Sequence, residues 1–510
     1  MPRISTLPVC AVVAPCLMAT TAFADITATD VWNDWKSYMA SSGYDLTASE
    51  TFSGNTVDAT NVVMTMDIED DGGDGAFTVT LPTLRFVGQA DGTVSIEMPA
   101  KAEMAMAFSS ETEENVSVII DLTQNAPSMV AAGDPGDLTY TYGAESMQMV
   151  LRNVTVDGVS VGPEIAKVDV TMSDIAQTTR MAVGNLRDIQ QEMTVAAVAY
   201  DIAFNDPESD DAFELRGQVN NLVLDGSGSV PIDSDPQDLN AMLDDGFAGS
   251  GTFRTTGGFY NLSFSGEDGS GTANATSTGS ELQVSLAPGG LSYGVTQSGV
   301  NMNVLVTEFP LPLSFSAEEI GTKVLMPVQQ APDAQDFQMS VTLGAFTMSD
   351  AIWSLFDPGA QLPRNPATLA IDLSGKAKVL FDFLDPAQMS VLEETGAVPG
   401  ELDTLTLNKL ELDAVGARLT GSGDFVFDNS DLTTFDGMPR PEGAVDLKLV
   451  GGNGLIDKLV GMGLLPEDQA MGARMMMGLF AVPGEGEDTL NSKIEVNDQG
   501  HVLANGQRIR

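Results

Sequence analysis

The stretch Val94-Ser95-Ile96-Glu97-Met98-Pro99-Ala100-Lys101-Ala102-Glu103-Met104-Ala105-Met106-Ala107-Phe108-Ser109 decides the fold. Its even positions (Val94, Ile96, Met98, Ala100, Ala102, Met104, Met106, Phe108) are all apolar, and its odd positions are mostly polar or small. A period of two over this length is the mark of extended backbone with one dry side and one wet side. At about 3.3 Å per residue the run reaches roughly 50 Å, far longer than an ordinary strand. Pro99 has no N–H to give a ladder and sits on the polar side, which predicts an edge position or a bend.

The same rhythm recurs on both sides. Met64, Met66 and Ile68 share a face, as do Phe77, Val79 and Leu81; Val116, Val118, Ile120 and Leu122; Val300, Met302, Val304 and Val306; Phe337, Met339, Val341 and Leu343; and Val445, Leu447 and Leu449. Turn clusters such as Asp70-Asp71-Gly72-Gly73 and Gly266-Glu267-Asp268-Gly269 separate the runs. One apolar and one polar face per strand argues for antiparallel pairing. The expected fold is therefore mainly β: long, curved antiparallel sheets, in two tandem halves, with a few short amphipathic helices. The halves are placed at 25–235 and 236–510, divided where Gly, Ser, Pro and Asp cluster between 225 and 238. A faint echo supports two halves: Phe52-Ser53-Gly54 resembles Phe264-Ser265-Gly266, and Pro135–Tyr140 resembles Pro288–Tyr293.

Helices are expected in five places. Thr27 to Ser42 has a capping-box pair in Thr27 and Asp30, an apolar stripe of Val31, Trp32, Trp35, Tyr38 and Met39, and Gly43 as a stop. Shorter helices are expected at Leu239–Asp245 and Asp350–Phe356. A helical pair is expected at Gly454–Gly463 and Pro466–Phe480.

The first 24 residues read as a secretory leader. Arg3 supplies the positive start, Leu7 to Met18 is mostly apolar, and Ala22-Phe23-Ala24 is a small-x-small cleavage site. No later run is long enough to span a bilayer as a helix of about 20 residues. Export to the periplasm is the expectation, with secretion as the alternative. Cys10 and Cys16 both lie in the leader, so the mature chain has no disulfide, thiolate metal site or cysteine nucleophile.

Acids number 72 against 23 Lys plus Arg, a formal charge of −49, and loss of Arg3 with the leader takes it to −50. Such a surface repels nucleic acid and anionic headgroups. It suits a salty medium that screens charge within about 8 Å.

Catalytic chemistry is sparse. His501 is the sole histidine, set in a turn, and no Gly-x-Ser-x-Gly elbow accompanies it. No phosphate loop or dinucleotide fingerprint occurs. A carboxylate hydrolase cannot be assigned to particular residues among so many acids. A weak calcium loop is a candidate at Asp67, Glu69 and Asp71, although the twelfth position is Thr78 where a bidentate Glu is needed. Asn205 to Asp211 is a second oxygen-rich loop.

Methionine numbers 26, and many occupy the apolar side of strands. Met64, Met66, Met98, Met104, Met106 and Phe108 form a candidate face for an apolar or lipidic ligand, because methionine is flexible and polarisable. The same residues would equally fill a core.

Several segments together resemble a known family. They are Val31-Trp32-Asn33-Asp34-Trp35 with Gly43-Tyr44; Ala351 to Pro358 followed by Leu362-Pro363-Arg364-Asn365-Pro366; Leu419-Thr420-Gly421-Ser422-Gly423; Pro441 to Leu447; Leu455 to Leu479; and Ile494 to Val502. This pattern, running through nearly all the mature chain, resembles the uncharacterised exported proteobacterial proteins catalogued as domain of unknown function 2125. The C-terminal arrangement is also similar to AsmA-like envelope proteins, although no convincing membrane anchor accompanies it here. The resemblance implies a β-rich envelope protein without an established activity. The expected function is a periplasmic, non-enzymatic protein holding lipid or another apolar ligand on a Met-lined sheet face. The alternative is an acidic scaffold or adhesin-like protein with weak calcium binding.

Overall fold

The computed structural model describes residues 26–510 except 71–72, 111–114, 233, 236–237, 268 and 308, and gives only the backbone at 68–70, 73–74, 110 and 310. The expected leader at 1–24 lies outside the described residues.

The chain opens with α1 (Ala28–Ser41). Thr27 caps it: Asp30 N donates to Thr27 Oγ1 at 3.2 Å and Thr27 N donates to Asp30 Oδ2 at 2.9 Å, the reciprocal pair that satisfies two orphan amides. The strands that follow are β1 (Asp45–Phe52), β2 (Thr56–Asp70), β3 (Gly73–Leu81), β4 (Leu84–Gly88), β5 (Val94–Glu97), β6 (Lys101–Ser110), β7 (Val116–Asn125), β8 (Ser128–Asp134), β9 (Asp137–Val156), β10 (Val159–Val161), β11 (Ala166–Val183), β12 (Leu186–Asn205) and β13 (Ala212–Pro231). After α2 (Leu239–Asp244) come β14 (Ala248–Thr255), β15 (Gly258–Gly266), β16 (Gly269–Ser277), β17 (Gly279–Ala287), β18 (Gly290–Val306), β19 (Phe309–Met326) and β20 (Gln335–Met348). Then follow α3 (Asp350–Trp353), β21 (Ala367–Val379), α4 (Pro386–Thr395), β22 (Gly400–Ala414), β23 (Ala417–Asp428) and β24 (Arg440–Val450). The chain ends with α5 (Gly452–Gly461), α6 (Glu467–Phe480), β25 (Val482–Pro483), β26 (Thr489–Val496), β27 (Val502–Ala504) and β28 (Gln507–Arg508).

All these strands join one sheet of 28, every pairing antiparallel. Strands pair with near neighbours in the chain: the short strands β14 and β15 share one rank beside β13, and β3, β5, β14 and β16 pair onward with β6, β8, β17 and β18. The expected division at 225–238 falls between β13 and α2, and the ladder passes it without a gap. Roughly twenty ranks at about 4.8 Å give a path of roughly 95 Å from β1 to β28. The sheet is a meander, open at both ends.

A crease crosses this sheet at right angles to the strands. Asp174 in β11, Asn221 in β13, Gly299 in β18 and Ala345 in β20 all have φ between 47° and 57°. The register aligns them through the intervening strands: positions 145, 174, 196, 221, 256, 279, 298–299, 318 and 345 form one transverse row. A single left-handed residue turns the strand and reverses its pleat. In β11 the inward apolar positions are Val168, Val170 and Met172 before Asp174, and Ile175 and Met181 after it. The parity switches likewise between Val195 and Val198 in β12 and between Val219 and Leu222 in β13. Towards the N-terminus the row continues through Ala126-Pro127, Pro99-Ala100, Pro82-Thr83 and Asn61. The bend expected at Pro99 is thus one point of a crease that runs from β2 to β20.

The inside of the crease is dry. Ala144, Ile175 and Val195 are buried and pack with Met147, Met172 and Val198 from beyond the bend. Glu145, Asp174, Ala196 and Asn221, on the outside of the same row, are exposed. The sheet therefore folds into a gutter with its apolar face inward.

Four of the expected helices match closely. The Asp350–Phe356 helix is shorter, and α4 was missed although Asp385 caps it through Ala387 N at 2.9 Å.

Candidate functional site: an open apolar groove

The groove has a floor, two walls and rims. Its floor is set by buried residues on the two sides of the crease: Ala144, Ile175 and Val195 on one, Val300 and Ala317 on the other. One wall carries Tyr200, Ile202 and Phe204 of β12, which register with Gly217, Leu215 and Phe213 of β13, then with Tyr260, Leu262 and Phe264 of β15. The other carries Met193 of β12, Leu224 of β13, Phe253 of β14, Leu282 of β17, Val295 of β18 and Thr322 of β19 in successive register. Exposure rises toward the rims, to 46% at Phe204, 40% at Phe264 and 49% at Met339. A packed core buries such side chains almost completely. These remain open to solvent because, among the described residues, no second layer covers this part of the sheet.

Gly217 shows how closely the wall is fitted. A Cβ there would lie 2.3 Å from the Tyr200 hydroxyl and 2.5 Å from the Phe259 carbonyl oxygen. The glycine lets the Tyr200 ring lie across the neighbouring strand. Burial raises the Tyr200 phenol above its usual range, with Tyr260 adding to the effect.

The N-terminal end of one wall is covered. Trp32, Val31 and Ile26 are buried with Val57, Ala59, Leu84, Phe86, Val94, Ile96, Ala131 and Leu138, forming the largest core in the chain. Trp32 and Trp35 pack on Phe86 at ring separations of 5.4 and 5.6 Å. Arg187, an inward position of β12, reaches α1: its guanidinium lies 2.7 Å from Asp34 and 3.1 Å from Ser37 Oγ, over the Tyr38 ring. The Tyr140 hydroxyl donates to the other Asp34 oxygen at 2.8 Å. Burial first, and the Asp34 carboxylate second, push the Tyr140 phenol far above its usual value. The sequence reading missed this network. Its legible signal is Arg187 itself, a charge at the start of the inward series Ile189, Gln191, Met193 and Val195.

The expected ligand-face residues are brought together in part. Met64 pairs with Val79, which pairs with Met106; Met66 pairs with Phe77, which pairs with Phe108; Met104 faces Ile120 on the next strand. Val79 is buried and the others are half-buried on one continuous surface. Met98 stands apart, at the break beside Pro99, and packs against the core beneath α1.

For the calcium candidate, Asp67 and Glu69 occupy extended positions of β2 opposite Ala76 and Asp74, so their backbone is strand rather than loop. Asp71 lies outside the described residues. Among the described residues no group of three or more His, Cys, Asp or Glu side chains is disposed to hold a metal. In the Asn205–Asp211 turn, Asp206 accepts from Glu208 N at 2.8 Å and Ser209 Oγ at 3.0 Å, so this carboxylate closes the turn. His501 is half-buried and its amide donates to Asn497 Oδ1 at 3.0 Å.

No curated protein matches the chain. Residues 258–506, from β15 through β27, match the model of a family described as an uncharacterized protein conserved in bacteria (DUF2125).

Proposed function

We propose that the chain is an exported, non-enzymatic envelope protein that holds the acyl chains of lipid, or a similar aliphatic ligand, in its creased apolar groove. One observation carries the reading: buried apolar positions flank the crease in β9, β11 and β12 and again in β18 and β19, between apolar walls that stay open to water. Leaving so much contiguous apolar surface wet is costly, and large exposed patches of this kind mark ligand or membrane contacts. The flexible methionines along the face suit chains of varied shape. The AsmA-like C-terminal pattern agrees with an envelope role, and the leader-like first 24 residues agree with export to the periplasm.

The outer face sets a condition on the ligand. A net charge of −49 opposes anionic headgroups, which favours neutral or zwitterionic ones. Native mass spectrometry of the full processed chain after mild extraction tests the proposal. Lipid adducts that disappear on delipidation and return with phosphatidylcholine are expected. A clean apo mass that takes up no lipid on titration overturns it.

A further inference from the structure

The geometry points to a terminal pocket beneath the C-terminal half of α1 that receives the methyl end of one aliphatic chain whose remainder lies in the groove. This inference rests on the groove being the ligand site and assigns where the ligand stops.

The pocket is a cavity of about 150 Å³ between α1 and the sheet. Trp35, Tyr38 and Met39 of α1 form its roof, with Met129, Tyr142 and Met181 among the strand residues beneath. A space of about this size accepts a benzene-sized guest, so it has room for about six carbons. Several polar groups on its wall are paired, although Gln124 Nε2 behind Tyr142 is buried without a partner. The Tyr142 hydroxyl donates to Gln124 Oε1 at 2.6 Å, the Tyr140 hydroxyl to Asp34, and Gln177 Nε2 to Thr179 Oγ1 at 3.1 Å.

Position makes it an end rather than an isolated void. Tyr142 and Gln177 are the next inward residues after the floor residues Ala144 and Ile175, and Tyr142 packs against that floor. The cavity therefore begins one inward position from the groove floor. On the opposite side the buried Arg187–Asp34 pair and the Trp32 core close the way. A chain that turns from the floor along β9 and β11 would enter and go no farther.

Two measurements on the full processed chain test this. In the first, the fluorescence of the two α1 tryptophans, the core residue Trp32 and the pocket residue Trp35, is read in a Trp353→Phe background with phosphatidylcholines brominated either near the methyl end or near the carbonyl. Stronger quenching by the methyl-end label is expected. In the second, Met39→Trp fills the cavity, and binding of monoacylglycerols from octanoyl to stearoyl is compared with the parent. Each methylene excluded from the pocket should weaken binding about fourfold, so the variant should shift its preference to shorter chains. Circular dichroism of the variant checks that it folds as the parent does. Equal quenching by both labels, or an unchanged chain-length profile in a folded Met39→Trp protein that still binds, overturns the terminal pocket and leaves the groove standing. Failure of every lipid to bind the parent overturns both.

Discussion

Arg187 and Asp34, 153 positions apart, meet at 2.7 Å with both side chains withdrawn from water, at 2% and 11% exposure. The pair ties the first helix to the eighth rank of a sheet that is otherwise built from neighbours in sequence. Removing one member strands the other charge in the interior. Asp34→Ala should therefore cost about 3–5 kcal/mol, whereas Asp34→Leu with Arg187→Met should recover most of that loss. Denaturant melts followed by tryptophan fluorescence measure both, and hydrogen exchange over 28–41 should show α1 releasing first in the single variant.

Tyr140 makes the same region sensitive to alkali. Its phenol is raised above the unfolded value near 10. The stability this brings is complete below pH 10 and declines as pH rises, because only the unfolded chain can then ionise the group. The slope should approach about 1.4 kcal/mol per pH unit. Tyr140→Phe should remove that slope, read as melting temperature between pH 9 and 11.

The crease depends on residues that tolerate a left-handed backbone. Asn221 has φ 48° and Ala345 has φ 47°. Asn221→Val should destabilise the protein by about 1–2 kcal/mol, and Ala345→Gly should be neutral or slightly stabilising. Thermal melts of the two variants check the opposite directions.

Phe253 lies on the open wall at 37% exposure, so a charge there should be tolerated by the fold. Phe253→Glu is expected to keep the parent circular dichroism and lose most lipid uptake by native mass spectrometry. Thr252→Glu, on the other face of the same strand, should bind as the parent does.

Acid should loosen the loop between β23 and β24. Asp431 accepts from Thr434 Oγ1 at 2.8 Å and from the amides of Thr433 and Thr434 at 3.1 Å, which holds its carboxyl at about 2. A depressed value means that the contribution is present above the ordinary pKa near 3.8 and disappears as pH falls toward 2. Exchange protection over 428–440 should drop in that window, and Asp431→Asn should flatten the response.

Much of the architecture is legible from alternation alone. The Met64, Phe77, Met106 and Val118 series do face one side, and the hairpins fall at the Gly and Asp clusters. The crease was legible but unread. Met172-Ser173-Asp174-Ile175, Val219-Asn220-Asn221-Leu222 and Ala317-Glu318-Glu319-Ile320 each place two residues outward between two inward ones. Taken singly, such a slip looks like the end of one strand and the start of another. Only the register shows that the slips coincide. The Arg187–Asp34 contact and the cavity under α1 were beyond reach, because nothing local in the sequence reports which distant rank a helix will cover.

A meander open at both ends carries no closure condition. A barrel must keep strand number, tilt and stagger mutually consistent, but here one more hairpin would lengthen the trough by about 10 Å and leave its cross-section unchanged. Reach is thus a heritable variable, adjustable by whole-hairpin duplication or loss without redesigning the walls.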